Sequence, residues 1–444
     1  MSSIDFKAEL NEQQHAAVTA PDGPVLIIAA AGTGKTRTLT YRVAYLVEKG
    51  IDARRILLLT FTNKAAREML DRATELVGEA VGGLWGGTFH HMANRLLRRH
   101  ADRLGYRLDY TIFDQDDARS LCKSVMDRLG CTGKDFPKPD VLLSMFGLAA
   151  STERPLDVIV AERFGQHPVD LARIQDVWRG YREKKMEQNG MDFDDLLVNG
   201  LRLFRENPDL LETYQRRFLY VLVDEYQDTN VIQSAWIDAI AGKHRNLLVV
   251  GDDFQSIYSW RGADYRNIMS FPERYADTNT YKLELNYRSV PEILDVANTC
   301  IEGNPEQFQK ELQAMREEYK RPFVYRSRDG GEQARFVCDR IRQLLREGYA
   351  LDEMAVLYRS HFHAMEMQLE MTREQIPFLL TSGVRFFEQA HIKDACTIVR
   401  LLVNPADELA FLRLAGLMPR VGKKTAEKLW QKLGTGFRRM SCWT

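Results

Sequence analysis

The sequence predicts an α/β protein in which parallel β-sheets are flanked by helices and interrupted by helical insertions. Short continuous apolar runs near residues 25, 55, 219 and 247 each lead into a turn and a helical pattern, as buried parallel strands do. A stretch from about residue 91 to 209 is instead rich in Leu, Arg and Glu at helical spacing. With 444 residues and 45% hydrophobic composition, the chain can build about three domains with ample cores.

The first apolar run, residues 25–28, is followed by a glycine-rich turn. Its glycines let backbone N–H groups point at anionic oxygens. Lys35 adds a positive charge at the β- and γ-phosphates of a nucleotide, and Thr36 offers its hydroxyl to Mg²⁺. Ala29 stands where the pattern GxxxxGK[ST] has its first glycine. The predicted phosphate-binding residues are Ala31, Gly32, Thr33, Gly34, Lys35 and Thr36.

The apolar run at residues 218–223 ends in two adjacent acids. Ligands of α/β sheets bind at the carboxyl ends of strands, which is where Asp224 and Glu225 would lie. Asp224 is the predicted Mg²⁺ ligand together with Thr36. Glu225 is predicted to take a proton from the attacking water. The pair indicates hydrolysis of a nucleoside triphosphate, whereas the alternative interpretation is a solvated acidic loop.

Charge and cysteine usage narrow the possible classes of protein. The net charge is −1 and the pI is about 6.8, so no overall basicity indicates a nucleic-acid partner. The longest apolar runs are too short to span a bilayer, and the N-terminus lacks a secretory pattern. The six cysteines form no CxxC pair, which argues against a zinc or iron–sulfur site and fits a reduced cytoplasm.

Beyond the phosphate and acidic segments, the chain carries further short motifs in a fixed order. They lie at residues 10–14, 59–69, 87–90, 191–197, 249–263, 283–289, 355–360 and 385–388. Together they resemble the superfamily 1 DNA helicases of the UvrD/Rep/PcrA type. The resemblance implies RecA-like P-loop NTPase domains and use of ATP with Mg²⁺. The chain has Leu285 where the family usually has Gln, and His361 where it has Asn.

The resemblance also implies roles around the nucleotide. Gln14 would read the adenine edge, and Arg37 and Tyr287 would sandwich the base between two flat faces. Arg288 would reach the γ-phosphate as an arginine finger, and Gln255 would sense whether that phosphate is present. The predicted catalytic residues are Lys35, Asp224, Glu225, Gln255 and Arg288.

Single-stranded DNA, together with duplex junctions, is the partner that the resemblance implies. Aromatic residues in the motifs can stack on bases without regard to sequence. Thr62 and Asn63 can cap a helix whose free N–H groups grip a phosphate, and Arg261 can take another. The basic clusters near residues 95–107 and 179–185 are either DNA contacts or solvated helix faces. The predicted DNA-binding residues are Phe61, Thr62, Asn63, His90, Phe193, Tyr258, Trp260, Arg261 and Arg359.

The motifs predict a division into four regions. Residues 1–90 and 210–281 form a first RecA-like motor domain, and residues 91–209 form a helical insertion within it. Residues 282–378, with a strand at 354–358, begin a second motor domain, and residues 379–444 begin a second helical insertion. The later family motifs are expected to be missing, so the chain is interpreted as truncated.

The leading hypothesis is an ATP-dependent DNA helicase acting in repair or replication restart. Its 3′→5′ polarity is implied only by the resemblance. One alternative is a catalytically impaired fragment that binds ATP and single-stranded DNA without turnover. Another is the helicase part of a nuclease–helicase recombination subunit.

Overall fold

The computed structural model describes residues 4–133, 136–165, 170–380, 390–419 and 421–440. By internal contacts the chain forms two compact units, residues 1–319 with 394–444, and residues 320–393. The strands are β1 Val25–Ala29, β2 Ile56–Thr60, β3 Trp85–Thr88, β4 Thr111–Ile112, β5 Gly190–Met191, β6 Tyr220–Val223, β7 Leu247–Gly251, β8 Asn279–Leu283, β9 Leu285–Asn286 and β10 Gln313–Ala314.

Helices surround these strands and account for most of the regular structure. They are α1 Phe6–Glu9, α2 Glu12–Val18, α3 Lys35–Glu48, α4 Asn63–Val77, α5 Phe89–His100, α6 Gln115–Arg128, α7 Pro139–Thr152, α8 Leu156–Phe164, α9 Leu171–Glu187, α10 Phe193–Glu206, α11 Pro208–Arg217, α12 Val231–Ala241, α13 Arg266–Met269, α14 Phe271–Arg274, α15 Pro291–Glu302, α16 Gly330–Arg346, α17 His361–Arg373, α18 Ala390–Val403, α19 Glu408–Gly416 and α20 Lys423–Met440. Within the described ranges, none is long and apolar enough to cross a bilayer.

The main sheet confirms the predicted parallel architecture. Within the described chain it has six strands in the order β3-β2-β6-β7-β1-β8, and every neighbouring pair is parallel. Two of its strands, β3 and β8, were not predicted. The sequence of β3 is Trp-Gly-Gly-Thr and that of β8 is Asn-Thr-Tyr-Lys-Leu, so neither forms a continuous apolar run. Because all strands are parallel, their carboxyl ends meet at one edge.

The core lies on both faces of this sheet. Leu26 and Ile28 of β1 pack on the face covered by α5, α10, α11 and α12. Val25 and Ile27 pack on the opposite face, which α3 and α4 cover. Successive side chains of a strand point to opposite faces. A continuous apolar run is therefore required when helices cover both.

Residues 91–209 hold helices and one short two-stranded parallel sheet, formed by β4 and β5. Their separate core includes Leu121, Val125, Leu142 and Ile174. The C-terminal helices lie against this region. Asn404 is buried there, where its side-chain amide donates to the Thr111 hydroxyl at 2.9 Å.

The unit of residues 320–393 is built mainly on the pairing of α16 with α17. Its core contains Cys338, Ile341, Met367 and Met371. The predicted strand at residues 354–358 is wrong, because these residues have no regular secondary structure and Leu357 is 95% exposed. A strand needs a neighbour to pair its N–H and C=O groups. The described residues of this unit contain no strand that could pair with residues 354–358.

Candidate nucleotide and nucleic-acid sites

The loop between β1 and α3 is shaped for a phosphate chain. Gly32 and Gly34 have left-handed φ angles of +83° and +90°, which side-chain-bearing residues rarely adopt. The Thr33 hydroxyl is buried and donates to the Ala30 carbonyl at 2.7 Å, which fixes the turn. The positive end of α3 begins at Lys35. These features make a preformed cradle of N–H groups for an anion.

Lys35 and Glu225 are brought together from different strands. The Lys35 ammonium donates to Glu225 Oε2 at 2.6 Å, and the Gln227 amide donates to the same oxygen at 2.9 Å. Glu225 itself has a left-handed φ of +50°, an uncommon conformation for a glutamate. The backbone therefore turns sharply after β6 and aims this carboxylate back at the phosphate loop.

Asp224 is the buried member of the acidic pair. Burial, and then the nearby Glu225 carboxylate, raises the pKa of Asp224 to about 7. Its Oδ1 atom is buried and has no hydrogen-bond partner among the described residues. The described residues contain no cluster of three or more acidic, His or Cys side chains that would hold a metal by itself. One free carboxylate oxygen fits Mg²⁺, which commonly uses one or two carboxylates plus substrate phosphates.

The loop after β7 connects with the phosphate loop through one carboxylate. Asp252 Oδ2 accepts from the Gln255 amide at 2.6 Å and from the Ala31 N–H at 3.2 Å. Asp252 N–H in turn donates to the Gln227 side chain at 3.0 Å. Asp252 thus connects the Gln255 side chain to the phosphate loop.

The segment after β8 folds over the same loop. The Asn286 amide donates to the Ala31 carbonyl at 2.6 Å, and the Tyr287 N–H donates to the Gly32 carbonyl at 2.9 Å. A Cβ atom on Gly32 would lie 2.7 Å from the Cβ of Arg288, so only glycine permits this approach. The Arg288 side chain is exposed and makes no hydrogen bond or ion pair with the described residues.

The predicted adenine-binding residues surround the start of α2. Gln14 is buried, and its amide donates to the Thr33 carbonyl at 3.0 Å. The Tyr287 hydroxyl accepts from the Asn11 amide at 2.8 Å, while much of its ring is exposed. The Arg37 guanidinium pairs with Glu9 at 2.9 Å and lies 4.7 Å from the ring centroid of Tyr41. Stacking of Arg37 and Tyr287 on a base stays a prediction.

Predicted DNA-binding rings form two groups at the carboxyl edge of the sheet. Phe61, directly after β2, stacks on Tyr258 with ring centroids 5.3 Å apart, and Tyr258 lies 6.5 Å from Trp260. Trp260 is 65% exposed, so this aromatic cluster has an open face. The second group pairs His90 with Phe193 edge to face at 6.1 Å. Burial lowers the pKa of His90.

The other predicted DNA contacts differ in position. The Thr62 hydroxyl accepts from the Ala65 N–H at 3.1 Å and caps α4, whose first residue is Asn63. Arg359 lies exposed in the unit of residues 320–393. The side chain of Arg261 and the motif at residues 385–388 lie outside the described parts of the chain.

The structure resolves part of the second basic cluster. The Lys185 ammonium is buried between Asp192 and Asp195, 2.6 Å from an oxygen of each, and the Tyr181 hydroxyl donates to Asp192 at 2.9 Å. Burial, and then Asp192, raises the pKa of Asp195 to about 6. Lys185 and Tyr181 are therefore structural residues of α9 that hold the start of α10. They do not form part of a DNA-binding face.

Sequence reasoning missed three residues of the candidate nucleotide site. Asp252 joins the phosphate loop to Gln255, Asn286 holds the loop from the other side, and Lys310 lies against Asp252. Asp252 had a usable signal, because it begins an acidic pair directly after a buried strand, as Asp224 does. Lys310 had none, since it lies in a polar stretch without a motif.

Comparison with known proteins agrees with this geometry. Residues 10–276 match the model of the UvrD/REP helicase N-terminal domain, and residues 281–438 match that of the UvrD-like helicase C-terminal domain. The ATP-dependent DNA helicase PcrA of Staphylococcus aureus (strain Mu50 / ATCC 700699) is 37% identical over 422 residues, which are 95% of this chain and 57% of the relative. PcrA of Staphylococcus epidermidis (strain ATCC 12228 / FDA PCI 1200) gives the same values.

These matches correct one expectation. The C-terminal motifs of the family were expected to be missing, but residues 281–438, which include α18 and α19, match the model of the C-terminal domain. The chain spans 57% of the length of the PcrA proteins that it matches.

Proposed function

Because the chain belongs to the UvrD/REP helicase family, we propose that it is an ATP-dependent motor that moves along single-stranded DNA. The observation that carries this proposal is the loop of residues 251–263. Its first part contacts the phosphate loop through Asp252, which also accepts from the Gln255 amide, and its last part supplies Tyr258 and Trp260. A change at the nucleotide can therefore reach the DNA-stacking rings through a few residues of backbone.

ATP would bind with its phosphates on the N–H groups of residues 31–36 and its γ-phosphate beside Lys35. Mg²⁺, when bound, would neutralise charge on the β- and γ-phosphates, held by Thr36 and Asp224. The buried Asp224 oxygen without a partner supports this assignment. Glu225 would take the proton of the attacking water, and the Lys35 ammonium, 2.6 Å from its Oε2, would hold the carboxylate beside the phosphate loop.

Arg288 and Gln255 would complete the site around the γ-phosphate. Arg288 is exposed beside Gly32 and can swing toward a transferred phosphoryl group, where an arginine typically contributes about 10³–10⁵ in rate. Gln255 is held by Asp252 and can respond to the presence of that phosphate. These are proposals for each residue, supported by its position at the edge of the loop.

Single-stranded DNA would stack its bases on Trp260, Tyr258 and Phe61, and on Phe193 beside His90. Aromatic stacking accepts any base, which suits a motor that moves along an arbitrary sequence. The capped start of α4 would hold a backbone phosphate. Polarity of 3′→5′, action at duplex junctions, a role in repair or replication restart and a cytoplasmic location are parts of the proposal that rest on family membership.

The test is ATP hydrolysis by the purified chain with and without an oligothymidine. We expect DNA to stimulate ATP hydrolysis. Lys35→Ala should lose both the basal and the DNA-stimulated hydrolysis, because the γ-phosphate loses its positive partner. Binding of a fluorescent ATP analogue and of labelled DNA is measured in parallel. Binding of both without turnover would favour the alternative of a non-hydrolysing ATP- and DNA-binding protein. No DNA-dependent ATP hydrolysis would overturn the motor proposal.

A further inference from the structure

Lys310 is a buried lysine outside every motif discussed above. It lies between α15 and β10, in the part of the chain that matches the C-terminal domain model. Its side chain is 0% exposed, and its ammonium donates to Asp252 at 2.8 Å and to Asp253. The ammonium also lies 3.6 Å from the ring centroid of Phe254. Two carboxylates and one aromatic face can thus satisfy its three N–H groups.

Because Lys310, Asp252 and Asp253 are buried together, losing the contact between the lysine and the two carboxylates would be costly. Asp252 and Asp253 are adjacent acids whose side chains are each 2% exposed, and two uncompensated charges at such a site are costly. In the described structure Lys310 is the cation that contacts both. The second oxygen of Asp253 accepts from the Phe308 N–H at 2.9 Å, so Asp253 holds the same chain segment twice.

The two carboxylate oxygens of Asp252 have different partners, because Lys310 contacts one and the residues around the phosphate loop contact the other. Asp252 Oδ1 accepts from Lys310, whereas Oδ2 accepts from the Gln255 amide and from the Ala31 N–H. The position of Lys310 therefore sets where Asp252 can hold Gln255 relative to the phosphate loop. Asp253 makes no such contact with Gln255 or Ala31.

We propose that Lys310 is a positioning residue for ATP hydrolysis, which acts through Asp252 to hold Gln255 beside the γ-phosphate. This inference rests on the proposed function and deepens it, because it makes a residue of the C-terminal domain part of the sensor built on residues 252–255. Movement of the segment around Lys310 would shift Asp252, and with it Gln255 and the loop that carries Tyr258 and Trp260.

The experiment compares the full chain with Lys310→Met, Asp253→Asn and the charge-balanced pair Lys310→Met/Asp253→Asn. Lys310→Met alone leaves two buried carboxylates unpaired and is expected to lower the melting temperature. The pair removes one positive and one negative charge, so we expect its stability to recover. Lys243→Met is the control, since Lys243 is half exposed and pairs with Glu212 on the surface.

The rates separate positioning from folding. We expect the kcat for ATP of Lys310→Met/Asp253→Asn to stay about 10–100-fold below that of Asp253→Asn, which is typical for loss of a supporting residue. The KM for ATP and the affinity for a fluorescent ATP analogue should be unchanged. Lys310→Arg keeps the charge and is expected to regain part of the kcat. Equal kcat values for the pair and Asp253→Asn would overturn the inference.

The outcome also distinguishes this inference from the proposed function. If the wild-type chain shows DNA-stimulated hydrolysis and the double variant has the same kcat as Asp253→Asn, only the role of Lys310 is refuted. If the wild-type chain hydrolyses ATP without DNA stimulation, the motor proposal fails and the comparison is made on basal hydrolysis. If it hydrolyses no ATP at all, both proposals fail, and retained ATP-analogue binding would then identify a nucleotide-binding protein.

Discussion

At the scale of single residues, the candidate nucleotide site is defined by short contacts between segments far apart in the chain. Lys35 contacts Glu225 at 2.6 Å, and Asp252 contacts Ala31 at 3.2 Å. Each contact joins residues that follow different strands. The parallel sheet makes this possible because it brings all of its carboxyl ends to one edge.

Glu225→Gln tests the predicted general base. Glutamine can still accept a hydrogen bond from Lys35 but cannot take a proton from water. We expect kcat for ATP hydrolysis to fall by about 10²–10⁴, while the ATP analogue binds with unchanged affinity. Steady-state hydrolysis and fluorescence titration measure the two quantities. Normal turnover by this variant would assign the base to another residue.

Trp260→Ala tests the aromatic cluster. An exposed ring that stacks on a base contributes about 1–3 kcal/mol, so the affinity for oligothymidine should fall about 5- to 150-fold. The melting temperature should change little, because the side chain is 65% exposed. Tyr265→Ala, at another exposed ring outside the cluster, should leave the affinity unchanged. Fluorescence anisotropy with labelled DNA measures both, and equal affinities would remove Trp260 from the DNA site.

At the scale of elements, helix ends determine where several site residues lie. Helix α10 begins at Phe193, and its cap Asp192 is fixed by Tyr181 and Lys185 of α9. The helix start, and with it the exposed Phe193 ring, is therefore held by a buried charge network. The side chains behind the ring determine its position, although they do not reach the surface themselves.

Lys185→Met is expected to destabilise the chain strongly. It leaves Asp192 and Asp195 buried without their cation, which typically costs about 3–5 kcal/mol. Arg179→Met on the same helix removes only an exposed ion pair with Asp176 and should stay within about 0.5 kcal/mol. Urea unfolding followed by circular dichroism compares the two. Similar midpoints would mean that the network contributes no net stability.

At the scale of the whole molecule, the C-terminal helices and the helical region of residues 91–209 meet through polar contacts. Arg400 of α18 donates to Asp117 of α6 at 2.6 Å and to Asp407 at 3.0 Å. Asn404 accepts from Arg107 at 2.9 Å, and Lys184 pairs with Glu408 at 2.8 Å. This interface therefore depends on charge as well as on apolar contact.

Arg400→Met should loosen this interface. The fully buried Asp407 and the mostly buried Asp117 lose their shared cation, at a cost of about 3 kcal/mol. We expect faster hydrogen–deuterium exchange in residues 390–419 and in α6, with little change in the strands of the main sheet. Lys423→Met, which removes an exposed pair with Glu427, is the control. If hydrogen–deuterium exchange in α6 is unchanged, the Arg400–Asp117 contact does not stabilise this interface.

The sequence alone predicted the parallel sheet apart from β3 and β8, and it predicted that the glycine turn and the acidic pair Asp224–Glu225 directly follow buried strands. These features depend on neighbouring residues, since an apolar run, a glycine turn and a helical pattern are local properties of the chain. The same locality explains the failure at residues 354–358. That run is apolar, but a strand forms only where another segment supplies its hydrogen-bond partners.

Only the tertiary structure placed Asn286, Asp252 and Lys310 around the candidate nucleotide site, and Lys185 in a buried network. Lys310 lies 58 residues from Asp252, and Asn286 lies 255 residues from Ala31. No periodicity or spacing specifies such pairs, because they arise when the folded chain buries a charge or a polar group that must then find a partner.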